Sequence, residues 1–240
     1  MVSHFLFFLF CVQKTLQVFS TPDNIGHFSN VNTMTVEGIQ QAQQLGLVDS
    51  QLVNVLVTRD LSATSRLFQD RRRTGRIFAI FRDPVEKALS DYHYRKALPT
   101  EDPNRLPEEL SISQYVESAH VNPNAIVKGL VNLTDDTVVN AQHVLAAQQL
   151  VQDKLLVGLV ERFEESVSRF MEYFGWQFHD AVCIANFVAA RDHRTDHGSL
   201  KEKSEEYKTL ADRNWGDVEV YKTIQSTFDK QRRTVKTVSG

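Results

Sequence analysis

Apolar positions along the chain fall into two patterns. Short unbroken runs read as strands covered on both faces: Phe5–Val12 (FLFFLFCV), Leu52–Thr58 (LVNVLVT), Arg76–Phe81 (RIFAIF) and Leu155–Val160 (LLVGLV). Elsewhere the spacing is helical. Phe163, Val167, Phe170 and Phe174 recur at helical intervals, and Gly175 stands where a C-terminal cap belongs. Further helices are predicted at Thr35–Leu47 with Gly46 near the end, Asp60–Phe68, from Pro84 onward, Ile112–Ala119, Thr137–Leu150 and within Asn214–Gln231. Thr21–Asn32 and the proline-rich Pro99–Pro107 read as loops. Strands alternating with helices predict an α/β fold, a parallel sheet flanked by helices, with ligands at the carboxyl ends of the strands.

The segment Arg76–Lys96, RIFAIFRDPVEKALSDYHYRK, concentrates the chemistry. A strand runs into a turn and then a helix. Asp83 suits the N-cap, Pro84 the first helical position, and Glu86 the place of a capping-box partner. Val85, Leu89 and Tyr92 make an apolar stripe; Asp83, Lys87, Ser90 and Tyr94 make another, expected above the strand end. Arg82 thus closes a strand beside a helix N-terminus, with the Ser90 hydroxyl two turns on. Arginine, hydroxyl and helix dipole together suit a phosphate.

Arg82-Asp83-Pro84, followed by Ser90-Asp91-Tyr92 and Tyr94, resembles the 3′-phosphate-binding motif of sulfotransferases that use 3′-phosphoadenylyl sulfate, PAPS. Two further blocks follow in family order. Leu155–Trp176, with its "VGL-x-E, helix, FGW" pattern, resembles the next segment of membrane-type carbohydrate sulfotransferases and their algal and protist relatives. Asn214–Gln231 resembles their C-terminal "N-x-x-D-x-x-L-Y-x-x-A" helix, with Val220 in place of leucine. The resemblance implies a P-loop nucleotide-hydrolase-like sulfotransferase fold and PAPS as co-substrate. It assigns Arg82 and Ser90 to the donor's 3′-phosphate and makes the acceptor a glycan or other hydroxyl compound. The Phe stripe and the last helix read as core rather than site.

Sulfotransferases place a loop with lysine, glycine and Ser/Thr after their first strand, to cradle the 5′-phosphosulfate. Phe5–Val12 followed by Gln13-Lys14-Thr15 looks like its start, which makes Lys14 the matching donor-binding residue. Leu16-Gln17-Val18 follow where glycine and hydroxyl residues belong, so backbone amides lack the close approach that glycine permits. Residues 1–20 are thus expected to be an apolar leader or a remnant first strand and loop, and 21–240 a single sulfotransferase-like domain. Weak or absent turnover is the expectation, and the alternative is a non-catalytic relative that binds a nucleotide or a glycan. No catalytic base is assigned; His93 is the one histidine on the motif helix.

Composition narrows the field further. The chain has 240 residues, 42% hydrophobic and 24% charged, enough for a full core. A net charge of −3 gives no general attraction to nucleic acid, so any anion site must be local. Arg71-Arg72-Arg73 with Arg76 is the dense basic cluster, read as a solvated loop or as a rim for an acidic glycan. Two cysteines, Cys11 and Cys183, indicate no disulfide scaffold. His193 and His197 are four apart but in polar, loop-like surroundings, and no metal site is expected. No G-x-x-x-x-G-K-[ST] loop is present, which argues against a nucleotide kinase.

Phe5–Val12 is too short to cross a bilayer. The resemblance implies the Golgi membrane or lumen, with the cytoplasm as the alternative; membrane association through the amino terminus stays open. Asn132-Leu133-Thr134 is an N-glycosylation sequon, usable only in a secretory compartment.

Overall fold

A computed structural model of the chain describes residues 31–50, 55–68, 75–176, 200 and 204–238, with side chains as far as Arg232. The chain divides into two compact units, Met1–Arg76 with Phe170–Arg194, and Ile77–Arg169 with Thr195–Gly240.

In the first unit, α1 (Val36–Gln44) starts at Thr35, whose hydroxyl accepts the Gly38 amide. It ends at Gly46, which turns left-handed at φ 61°. The Leu47 amide then returns to Ala42 O and the Gly46 amide to Gln43 O, satisfying carbonyls the helix would otherwise leave open. Val31, Ala42 and Leu47 form a small core with Leu56 and Leu67. Asp60 caps α2 (Leu61–Ser65), which runs on as a single 3₁₀ turn to Phe68.

The strand predicted at Leu52–Thr58 is not found in its described part. Val55–Thr58 pair with no strand, and 52–54 lie outside the described residues. Side chains take up the backbone there instead. Thr33 Oγ1 donates to Val57 O at 2.6 Å, and Thr58 Oγ1 bonds Asp60 O and the Asp60 amide. Local hydroxyl-to-backbone bonds of this kind compete with a ladder, and β-branched composition alone does not decide between them.

The second unit holds β1 (Ile77–Phe81), α3 (Pro84–Lys96), α4 (Ile112–Glu117), α5 (Ala125–Val131), α6 (Ala141–Lys154), β2 (Leu155–Leu159), the start of α7 (Phe163–Phe174), α8 (Glu205–Arg213) and α9 (Trp215–Val238). It is α/β as expected, with a small parallel sheet. β1 and β2 pair in register, Ile77 with Leu155 through Phe81 with Leu159. β2 is buried along its whole length, whereas β1 is only half-buried before Phe81. Gln231 of α9 closes the edge of β2 with its side-chain amide, accepting the Val157 N–H at 3.0 Å and donating to Leu155 O at 2.7 Å. A lone side chain thereby satisfies edge groups that would otherwise invite another strand.

Among the described residues, buried side chains of this unit gather in two places. Val85, Ala88, Leu106, Tyr115, Val116, Val121 and Leu210 pack together among α3, α4 and α8. Ala147, Val151, Val157, Ile224 and Phe228 are buried where α6, β2 and α9 meet. The last helix is therefore core, as its apolar spacing predicts. Arg169 lies buried with its guanidinium 3.6 Å from the Phe228 ring centre, and also reaches Glu165 and Phe228 O.

Two helices differ from expectation in their bounds. The helix predicted at Thr137–Leu150 begins at Ala141. Asn140 accepts the Gln142 and His143 amides, and the His143 ring accepts the Asn140 amide in return. That box outweighs the apolar Val138-Val139 pair, and the helix then runs to Lys154 and passes directly into β2. The helix predicted at Ile112–Ala119 ends at Glu117, started by a Ser111–Gln114 box.

Candidate functional site

The carboxyl ends of β1 and β2 lie side by side because the strands are parallel and in register. The Val160 amide donates to Phe81 O at 2.8 Å and extends the pairing one step past the strands. Arg82 follows β1 directly and Glu161 follows this last bond. Asp83 then caps α3, its Oδ1 accepting the Val85 and Glu86 amides at 2.9 and 3.2 Å.

The capping box predicted between Asp83 and Glu86 is replaced by a longer-range one. The Asp83 amide donates to Glu161 Oε1 at 2.9 Å. Glu161 Oε2 in turn accepts the Tyr221 hydroxyl at 2.7 Å, from α9. The reason is positional: register places Glu161 at the neighbouring strand end. Tyr221 is buried, and its hydroxyl is pushed well above the usual tyrosine range by that burial and by the bond to Glu161. It therefore stays a donor at neutral pH.

Local charge is mixed. Burial, with Asp83 and Glu161 close by, raises the Glu86 carboxyl above its ordinary range, and the Arg82 guanidinium pulls it down again. The first amides of α3 are taken by Asp83, so the helix dipole expected to help hold a phosphate is already partly answered by a carboxylate. Arg82 brings a guanidinium close to Glu86 at this strand end.

Ser90 lies on α3 about 9 Å along the axis from Pro84, taking about 1.5 Å per residue. It is half-buried. The predicted stripe of Asp83, Lys87, Ser90 and Tyr94 separates into distinct environments. Lys87 faces a cavity of ≈ 160 Å³, lined also by Asp91, Tyr115, Asn122, Asn214 and Asp217. Tyr94 is exposed. Asp91 and Tyr92 of the motif are structural. Asp91 accepts the Tyr115 hydroxyl at 3.0 Å, and Tyr92 donates to Leu110 O at 2.8 Å. His93 stacks edge-on against Tyr92, about 14 Å along α3 from Pro84 at about 1.5 Å per residue, remote from the strand end.

The third block divides in the same way. Asn214 and Asp217 are buried and serve as helix caps, while Tyr221 reaches the strand end through Glu161. Glu161 and Tyr221 are site neighbours that sequence reading passed over as framework. The available signal was the place of Glu161 directly after the apolar run Leu155–Val160, as Arg82 directly follows Arg76–Phe81; the register sets Glu161 level with Asp83.

Lys14, Cys11, Cys183, Arg71-Arg72-Arg73, and the His193 and His197 pair lie outside the described residues. Among the described residues no cluster of His, Cys, Asp or Glu could hold a metal ion, and no helix is long and apolar enough to cross a membrane.

Comparison with protein-family models finds no match, and comparisons with curated proteins and with solved structures likewise find no significant one.

Proposed function

We propose that the chain is a sulfotransferase-type protein of the P-loop-like class, binding the adenosine 3′-phosphate end of PAPS through Arg82 and Ser90. One observation carries the reading: Arg82 stands at the carboxyl end of a parallel strand pair, where α/β folds bind ligands. The motif blocks around it are physically joined there, since Glu161 of the second block bonds Asp83 of the first and Tyr221 of the third.

In the proposed reaction an acceptor hydroxyl oxygen, on a carbohydrate-type compound, forms a bond to sulfur. The bond from sulfur to the bridging phosphate oxygen breaks, and adenosine 3′,5′-bisphosphate leaves. The acceptor's proton passes to a base. Cationic groups stabilise the charge that develops on the leaving phosphate. Arg82 would hold the far phosphate of the donor, and Lys14 would meet the phosphosulfate.

The second reading is binding without turnover. It is favoured by Leu16-Gln17-Val18 after Lys14, where a phosphosulfate cradle needs glycine. The two readings share the 3′-phosphate site. Titration calorimetry with adenosine 3′,5′-bisphosphate tests that site, and labelled PAPS with a panel of glycans separates the readings. Saturable bisphosphate binding that Arg82→Ala weakens about tenfold or more supports the assignment, since charge-assisted bonds are worth about 1.5–3 kcal/mol. Unchanged affinity in a folded Arg82→Ala protein refutes it.

A further inference from the structure

We infer that Glu161 is a positioning residue for the donor site, holding the Arg82–Asp83 turn through the Asp83 amide; this rests on the donor reading above. Glu161 is exposed, yet both its oxygens are engaged. Oε1 accepts the Asp83 N–H at 2.9 Å and Oε2 accepts the Tyr221 hydroxyl at 2.7 Å. The Tyr221 side chain is buried, so its hydroxyl is a fixed anchor. Glu161, after the end of β2, thus joins the turn after β1 to α9.

Arg82 sits between two fixed points. On one side, Phe81 O accepts the Val160 amide at 2.8 Å. On the other, the Asp83 amide is held by Glu161. The peptide that carries Arg82 is thus tied at both neighbours to the same partner segment, Val160-Glu161. Remove Glu161 and the second tie goes, while Asp83 still caps α3 with its own side chain. The helix survives, but the direction in which the Arg82 side chain leaves the backbone is less constrained. A phosphate gripped by one arginine is sensitive to that direction, because the guanidinium bonds are geometrically demanding. Glu161 itself touches no ligand.

The test compares Glu161→Ala, Glu161→Gln and Tyr221→Phe in the full chain. Glutamine keeps an oxygen for the Asp83 amide and can donate to the Tyr221 oxygen, so it separates tether from charge. Two quantities are read: amide hydrogen exchange at Asp83, which needs no ligand, and calorimetric affinity for adenosine 3′,5′-bisphosphate. Glu161→Ala should speed exchange at Asp83 and weaken affinity about tenfold, the loss expected of one charge-assisted bond. Glu161→Gln should restore affinity to within about threefold, and Tyr221→Phe should fall between. Arg213→Ala, which cuts bonds to Val116 O and Ser118 O away from this turn, should leave affinity unchanged at comparable loss of stability. Unchanged affinity in Glu161→Ala, with Arg82→Ala still impaired, overturns the inference and leaves the donor reading standing. A wild-type chain that binds no bisphosphate overturns the donor reading and the positioning role with it. If Glu161→Ala does not fold, Tyr221→Phe decides, and wild-type affinity and Asp83 exchange in that variant overturn the inference.

Discussion

Asn124 and Asp217 cap each other's helices. Asn124 Oδ1 accepts the Gly216 and Asp217 amides at 2.8 and 3.1 Å, closing the start of α9. The Asp217 carboxylate accepts the Ile126 and Val127 amides at 2.9 and 2.8 Å, closing the start of α5. Asn214 completes the exchange by accepting the Asn124 amide at 3.0 Å. Asn124 adopts a left-handed backbone at φ 57°, which asparagine tolerates better than most residues.

Either side chain removed takes the partner from two helix-start amides, all of them buried except the part-buried Ile126 amide. Asp217→Ala and Asn124→Ala should each cost about 2–4 kcal/mol, from a lost cap and stranded donors. The double variant should cost less than the sum, because the two caps hold one junction. Urea unfolding measures all three, and strict additivity would contradict the exchange.

Gly216 sits inside this junction. A Cβ there would stand 3.0 Å from Asn124 Oδ1, 3.1 Å from Val144 Cγ2 and 3.2 Å from Val139 Cγ1. Asn124 Oδ1 is held by two bonds and cannot give way cheaply. Gly216→Ala should therefore destabilise, although Gly to Ala inside a helix ordinarily stabilises by about 1 kcal/mol. A raised melting temperature would show that the junction relaxes.

For the donor site, Ser90→Ala should weaken bisphosphate binding by about 1.5–3 kcal/mol if its hydroxyl bonds the phosphate. Lys87→Ala, whose side chain lines the cavity shared with Asp91, Tyr115 and Asp217, should weaken it by less than threefold, about 0.6 kcal/mol. A loss in Lys87→Ala as large as that in Arg82→Ala, with both abolished by added salt, would mean general electrostatic attraction rather than a site.

Glu86 gives a pH signature. Its carboxyl is raised in the folded chain by burial and by Asp83 and Glu161. The folded state therefore binds this proton more tightly than the unfolded chain, and ionising Glu86 opposes folding. Its contribution is full below the ordinary value of 4.5 and is lost as pH rises through the raised folded value. Glu86→Gln should thus be more stable than wild type at pH 7, with the difference shrinking toward pH 4. Parallel melting curves across that range would contradict the shift.

Thr227 of α9 is buried, and its hydroxyl oxygen has no hydrogen-bond partner among the described residues. Replacing it by valine keeps the branched shape and removes the unmet polar atom. Thr227→Val should stabilise by about 1 kcal/mol, within the usual cost of a buried unsatisfied group. Denaturant midpoints compare the two proteins, and a destabilised variant would mean the hydroxyl has a partner in solution.

Much of the local structure was legible in the sequence. The strand, turn and helix around Arg82 follow from an apolar run, Asp83 at the N-cap and Pro84 at the first helical position. The start of β2, the span Phe163–Phe174 and the left-handed Gly175 that ends it follow from spacing and glycine alone. The helix starts and caps among these depend on neighbours within a turn or two, which the local sequence supplies; the two strands are legible as apolar runs but form only against each other's edge. The tertiary structure decided the remainder. Glu161 rather than Glu86 meets the Asp83 amide, because register brings a residue 78 positions away closer than one three positions away. Asn124 and Asp217, over 90 residues apart, exchange caps that each helix would otherwise draw from its own sequence. Val55–Thr58 form no ladder despite their β-branched residues, and the Val57 carbonyl accepts the Thr33 hydroxyl instead, since a strand needs a partner edge that composition does not specify. Local pattern selects which groups want a partner; only the packed chain determines which partner is near.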